Sequence, residues 1–188
     1  MRIIAGTYRS RVLKSLPGDQ TRPTADKIKE AIYSRIGPYF DGGVMLDLFG
    51  GSGGMGLEAL SRGMEHVVFC DHHGLAMKII KENIRSLDVY DQCTCMKMDY
   101  HRALQELSVN KCRFDLVFLD PPYRKQKISE ILHFIEQQDL LKEDGDIVCE
   151  SLKEDVFEDT YGSLVKVREI TYGITRITYY KRREGGIS

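Results

Sequence analysis

From Val44 onward, short apolar runs alternate with stretches in which apolar residues recur every three or four positions. Such alternation is the mark of βαβ units and a parallel sheet. It predicts strands over Val44–Phe49, His66–Cys70, Cys93–Met98, Phe114–Leu119 and Asp146–Glu150. Between them, Leu75, Ile79, Ile80, Ile84 and Leu87 mark one core-facing helix stripe, and Ile128, Ile131, Leu132 and Ile135 mark another. Residues 24–40 read as a further helix with Thr24 as its N-cap and a stripe of Ile28, Ala31, Ile32, Ile36 and Tyr39. Ahead of it, residues 1–23 suit a short β-ribbon and loop. At the other end, Ser163–Tyr172 and Ile174–Lys181 are rich in Val, Ile, Thr and Tyr around Gly173, which predicts a tight antiparallel hairpin. The expected fold is α/β and Rossmann-like, a mostly parallel sheet ending in that hairpin.

Composition narrows this picture. With 188 residues and 42% hydrophobic content, one well-cored domain is expected. The formal charge is −1, far from the basic balance of many nucleic-acid binders. Yet residues 1–40 hold eight Lys or Arg against three acids, a net of +5, leaving −6 for the remainder. A basic arm on an acidic body suits either a phosphate-tracking surface or an ordinary solvated face. Five cysteines and no secretory apolar segment after Met1 suggest a reducing, cytoplasmic setting. Cys93 and Cys95 fall on one face of a strand and read as buried free thiols, with no metal expected. No apolar stretch approaches the ~20 residues that cross a bilayer, so no membrane association is expected.

The strand ending near Phe49 runs into Gly50-Gly51-Ser52-Gly53-Gly54-Met55-Gly56 and then a helical pattern. Gly51, Gly53 and Gly56 fit GxGxxG in the strand-to-helix context that gives this motif meaning. Glycines let the backbone approach a ligand, and the helix N-terminus offers N–H groups. Asp71, twenty residues after Gly51 and ending the next strand, can accept both ribose hydroxyls of a nucleoside. A nicotinamide cofactor would fit so far. Two further acids favour S-adenosylmethionine. Asp47, before the glycines, can meet the ammonium of its amino-acid part, and Asp99, ending the third strand, can meet the adenine amine. The plainer reading is that these aspartates cap turns and helices.

The fourth strand runs into Asp120-Pro121-Pro122-Tyr123. An exocyclic amine on a base is a poor nucleophile because its lone pair is delocalised into the ring. Acceptors for the amine protons, here the Asp120 carboxylate and the Pro121 carbonyl, would turn that lone pair toward a methyl donor. Prolines hold those acceptors in a preset arrangement, and Tyr123 can stack on the base. No covalent enzyme intermediate is required, only alignment and charge placement. By itself the tetrad is also an ordinary proline turn. His72, His73 and His101 are given no catalytic role.

These residues resemble the RsmD-like 16S rRNA (guanine-N2)-methyltransferases of bacteria. The likeness begins at Met1-Arg-Ile-Ile-Ala-Gly6 with Arg9, Arg11 and Leu13, and continues through Arg22-Pro-Thr24, Asp26 and Lys27. It takes in Asp47-Leu-Phe49, Gly51-Ser-Gly53, Gly56, Glu58-Ala-Leu-Ser-Arg-Gly63, Asp120-Pro-Pro-Tyr123 and Tyr172-Gly173 with Thr175. The tetrad is shared by many amino-methyltransferases of DNA and RNA, whereas the N-terminal Ile-Ala-Gly and Arg-Pro-Thr are much more particular. Gly50, Ser10 and Asp71-His72 depart from the family's commoner residues.

The resemblance implies a class I methyltransferase domain over residues 41–188, preceded by an RNA-facing arm and helix over residues 1–40. It implies methyl transfer from S-adenosylmethionine to a guanosine N2 in 16S rRNA or the small ribosomal subunit, with no obligate protein partner. Phe49 joins Asp47, Gly51, Gly53, Gly56, Asp71 and Asp99 as cofactor-binding positions, and Arg9, Arg11, Arg22 and Lys27 are the RNA-binding ones. The main rival is a DNA adenine-N6 or cytosine-N4 methyltransferase, for which the chain shows no inserted target-recognition segment. A binding module without catalysis is the third reading, and Asp120 would weaken such a module's hold on phosphate.

Overall fold

The computed structural model describes residues 1–18, 23–122 and 125–183, and only the backbone of Pro23, Thr24, Lys125 and Gln126. The chain divides into two compact units, Met1–Ala103 and Leu104–Ser188.

In the first unit, helix α1 spans Pro23–Ile36. It starts one residue before Thr24, so Thr24 is not the cap; proline suits a first helical position because its missing N–H would have no partner there. The helix stops at Ile36 because Gly37-Pro38 follows, and a residue before proline disfavours helical backbone. Tyr39, expected in the apolar stripe, therefore lies beyond the helix and is 62% exposed, while Ile28, Ile32 and Tyr33 are buried. Three parallel strands follow, β1 (Val44–Asp47), β2 (His66–Cys70) and β3 (Cys93–Met96), in the order β3-β2-β1. Helices α2 (Gly54–Ser61) and α3 (Gly74–Leu87) lie between them in sequence, and α4 begins at Tyr100.

Strands β1 and β3 each end two residues before the expected point, since the chain turns away into loops at Leu48 and Lys97. In α3, Ile79, Ile80, Ile84 and Leu87 are buried as expected, but Leu75 is 51% exposed. At about 100° per residue it sits roughly 120° round from the centre of the stripe. Cys93 and Cys95 share a face of β3 but are half-buried rather than buried. Burial pushes the Cys93 thiol up to about 12.

The second unit holds β4 (Phe114–Leu119), α5 (Lys125–Gln137), β5 (Leu141–Leu152), β6 (Thr160–Tyr161), β7 (Leu164–Tyr172) and β8 (Thr175–Arg182). Their order is β4-β5-β8-β7-β6, with β4 and β5 parallel and the remaining pairs antiparallel. Strand β5 is much longer than Asp146–Glu150 because a different neighbour extends it at each end. Leu141 meets Phe114 at one end and Leu152 meets Thr175 at the other, while the register with β4 shifts across the polar Lys142-Glu-Asp-Gly145, which takes up the extra length between Leu141 and Asp146. The hairpin turns through Gly173 and Ile174, with Gly173 at φ 62°, a conformation open to glycine and suited to the twist of paired strands. Ile128, Ile131, Leu132 and Ile135 are all buried.

The expected N-terminal ribbon is a single antiparallel bridge between Arg2 and Val12, and it is fastened to α2 rather than to a sheet. Glu58, fully buried in α2, accepts from the backbone N–H of Ile4 at 2.8 Å and of Ala5 at 3.1 Å. The same carboxylate meets Arg62 Nε at 2.8 Å and Lys29 Nζ at 3.3 Å. Ser61 adds its Oγ and its carbonyl as acceptors for the N–H of Tyr8 and Thr7. Gly6, at φ 86°, passes so close to Ser61 that any Cβ would overlap its carbonyl. Burial draws the Lys29 ammonium below its usual pKa, with Glu58 pulling the other way. Glu58→Gln would leave two buried cations under-compensated, so unfolding free energy should fall by roughly 3 kcal/mol. Urea denaturation measures this, and amide exchange at Ile4 and Ala5 should accelerate in the variant.

Candidate functional site

Strand β1 delivers Asp47, 1% exposed, to the start of the glycine loop. Its Oδ2 accepts from the N–H of Gly56 at 3.2 Å, one of the first-turn donors of α2 that has no partner within the helix. Gly51 and Gly53 take φ of 57° and 82°, and Gly53 closes on Gly50 through an N–H to carbonyl bond of 2.7 Å. The glycines divide two tasks. A Cβ on Gly56 would lie 2.3 Å from Phe69, so this glycine serves close packing of helix on strand. A Cβ on Gly51 would meet nothing within 4 Å, so here the backbone faces open space that a ligand can enter.

Asp71, following β2, binds the loop directly. Its Oδ2 accepts from Gly51 N–H at 3.0 Å and its Oδ1 from His73 N–H at 2.8 Å. Each carboxylate oxygen accommodates about two donors, which leaves capacity for ribose hydroxyls. Asp99 is exposed before α4 (Tyr100–Val109), and its Oδ1 accepts from His101 N–H at 2.9 Å, as an N-cap does. The ring of Phe49, half-buried, lies 5.5 Å from that of Tyr100. The rings of His72 and His73 lie 3.8 Å apart, tilted by 40°.

The structure thus gathers Asp47, Gly51, Gly53, Gly56 and Asp71 at one loop. Asp99 shares their electrostatic surroundings. The Cys70 thiol is pushed up to about 12 by burial and then by the charges of Asp71, Asp99 and Asp47, so all three carboxylates act on one atom. Such an acidic rim suits a ligand presenting ammonium, hydroxyl and amine protons. It opposes the diphosphate of a dinucleotide, because like charges a few ångströms apart repel by ~1 kcal/mol even in bulk water and by more near a protein.

Of the arm residues, Arg9 and Lys27 are exposed, and Arg11 is exposed with its Nη2 on the Ser86 carbonyl. Arg22 lies outside the described residues. The +5 of the arm is partly neutralised by acids outside it, Lys29 by Glu58 and Lys14 by Glu82, while Arg2 pairs with Asp26 inside the arm. Two further residues tie the arm to the glycine loop. Asn83, 1% exposed, accepts from Lys14 N–H at 2.8 Å and donates to the carbonyls of Lys14 and Ser52, while Ser52 Oγ accepts from Leu16 N–H at 2.9 Å. The one sequence signal for Asn83 was a polar residue inside the apolar stripe of α3.

In the second unit, Asp120 follows the buried end of β4 and is exposed, Pro121 is buried and Pro122 is exposed. Tyr123 lies outside the described residues.

Comparison with known proteins converges on one group. Residues 1–181 match the family described as Conserved hypothetical protein 95. YlbH of Bacillus subtilis, named as a candidate rRNA methyltransferase, is 45% identical over 97% of this chain and 100% of its own. Ribosomal RNA small subunit methyltransferase D of Haemophilus influenzae is 32% identical, covering 82% of this chain and 80% of its own. The solved structure of yhhF from Escherichia coli superposes with a TM-score of 0.85 at 27% identity, over 97% of this chain and 98% of that one.

Burial pushes the Asp47 carboxyl from its ordinary 3.8 up to about 7, with the Gly56 N–H opposing and the Asp71 charge adding to the rise. A carboxyl raised on folding gives stability that is present below its unfolded pKa and lost as pH climbs through the folded one. Asp47→Asn should therefore gain stability relative to the natural chain between pH 4 and pH 8. Urea unfolding at both ends of that range checks it; a difference independent of pH would mean Asp47 stays ionised throughout.

Proposed function

Because this chain belongs to the RsmD family of rRNA methyltransferases, we propose that it moves a methyl group from S-adenosylmethionine to the exocyclic N2 of a guanosine in 16S rRNA. The observation that carries the cofactor half is the acidic glycine loop, open at Gly51 and braced by Asp47 and Asp71. Asp71 accepts the ribose hydroxyls, Asp47 faces the ammonium of the amino-acid part directly or through water, and Asp99 and Phe49 hold the adenine end. When bound, the cofactor supplies an electrophilic methyl on a sulfonium.

The base half rests on the tetrad after β4. Asp120 and the Pro121 carbonyl accept the guanine amine protons, so the nitrogen lone pair leaves the ring and becomes available for attack. Pro122 fixes the turn, and Tyr123 stacks on the flipped base. After transfer the amine carries one proton too many, which Asp120 or water removes. The arm and its helix, residues 1–40, face the RNA through Arg9, Arg11, Arg22 and Lys27, and the catalytic domain is residues 41–188.

The direct test incubates the protein and labelled S-adenosylmethionine with unmodified rRNA, small subunits and DNA in parallel, followed by digestion to nucleosides. N2-methylguanosine from rRNA is expected, and N6-methyladenine from DNA would replace the reading. Asp71→Ala should raise the cofactor dissociation constant about tenfold, the scale of one lost charge-assisted hydrogen bond, by calorimetry. Asp120→Ala should leave that constant nearly unchanged while slowing single-turnover transfer by well over tenfold; an unaltered rate would remove Asp120 from the reacting centre.

A further inference from the structure

The outer face of α3 carries Lys78, Lys81 and Arg85, all exposed. At about 100° per residue the three lie within roughly 60° of one another round the helix axis. Glu82 is the only acid between Gly74 and Leu87, and Lys14 Nζ already meets it at 2.7 Å. That one carboxylate is shared with Lys78 and Arg85, which also act on it, so the helix face keeps a net positive charge toward solvent. Arg85 Nε also holds the hydroxyl of Tyr90 at 3.0 Å, presenting an aromatic ring that is 50% exposed beside the charges.

The N-terminal arm continues this surface. Asn83 binds both the N–H and the carbonyl of Lys14, and Arg11 reaches the Ser86 carbonyl, so the arm runs alongside the same helix. At the opposite end, the Lys97 ammonium approaches Gly74, in the first turn of α3. The helix dipole disfavours a cation there, and an anion laid along the helix would relieve that cost.

We propose that the outer face of α3, with Lys78, Lys81, Arg85 and Tyr90, forms with Arg11 a single track for the backbone of the substrate RNA, with Tyr90 as a stacking platform for an unpaired base. Exposed cations interleaved with a braced aromatic are the chemistry that single-stranded RNA recognises. The helix, about 21 Å long, is sufficient to follow a short stretch of strand. This rests on the rRNA methyltransferase reading and extends its RNA contacts beyond residues 1–40.

The test measures dissociation constants for unmodified rRNA across a salt series in the full chain. Each lost phosphate contact to a single strand removes about 0.7 from the log–log salt slope, so K78Q/K81Q/R85Q should flatten it by about 2 and weaken binding tenfold or more at low salt. S-adenosylhomocysteine affinity and the melting temperature should stay as in the natural chain, since all three side chains are exposed. Tyr90→Ala should weaken binding about tenfold with the slope unchanged, because stacking is not ionic. A triple variant with the natural slope and affinity overturns the α3 track while leaving the methyltransferase reading intact. A natural chain that binds S-adenosylhomocysteine but no RNA overturns both.

Discussion

A single buried carboxylate holds the first unit in its working shape. Glu58 would be costly in an apolar interior if left alone, and it is tolerated because Lys29, Arg62 and two backbone N–H groups converge on it. Those donors come from α1, α2 and the N-terminal ribbon, so this one residue fixes where the ribbon lies. From there the chain continues to Lys14 and Leu16, which Asn83 and Ser52 bind to the glycine loop. The basic arm and the glycine loop are thus two ends of one hydrogen-bonded framework.

That framework explains why some features were legible in the sequence and others were not. Buried strands declare themselves as apolar runs, and β2 and β4 begin and end where the pattern predicts. Strand β5 does not, because its first part, Leu141–Gly145, reaches back to Phe114 through an irregular polar segment and its last two residues are paired by β8 backbone, neither of which leaves a trace in side-chain polarity. The spacing of Gly51 and Asp71 marked both as cofactor positions, whereas the hydrogen bond from the Gly51 N–H to the Asp71 carboxylate had no signal in the sequence. Glu58 and Asn83 went unassigned because a polar residue whose partners are distant backbone atoms carries no local periodic signal. The count of arm cations likewise overstated the free charge, since Lys29 is turned inward.

Acidity is the feature that sets the surroundings of the glycine loop apart. Asp47, Asp71 and Asp99 together bias the loop toward ligands rich in hydrogen-bond donors and away from polyphosphates. The same glycine geometry elsewhere cradles diphosphates, so the neighbouring charge distinguishes this loop more than its shape does.

The strand order β4-β5-β8-β7-β6 has a consequence for how the chain is made. Strand β8 lies between β5 and β7, so neither obtains its full set of partners until Thr175–Arg182 has emerged from the ribosome. About 30 residues separate the end of β5 from the end of β8, which at 5–20 residues per second is a delay of roughly a few seconds. During that interval β5 has an open edge with Ile147, Val148 and Cys149 at its centre, whereas the strands of the first unit have already been synthesised. The hazard of misassembly during biosynthesis therefore concentrates in the second half of the molecule. A tight turn at Gly173 shortens it by delivering β8 against β7 as soon as both exist.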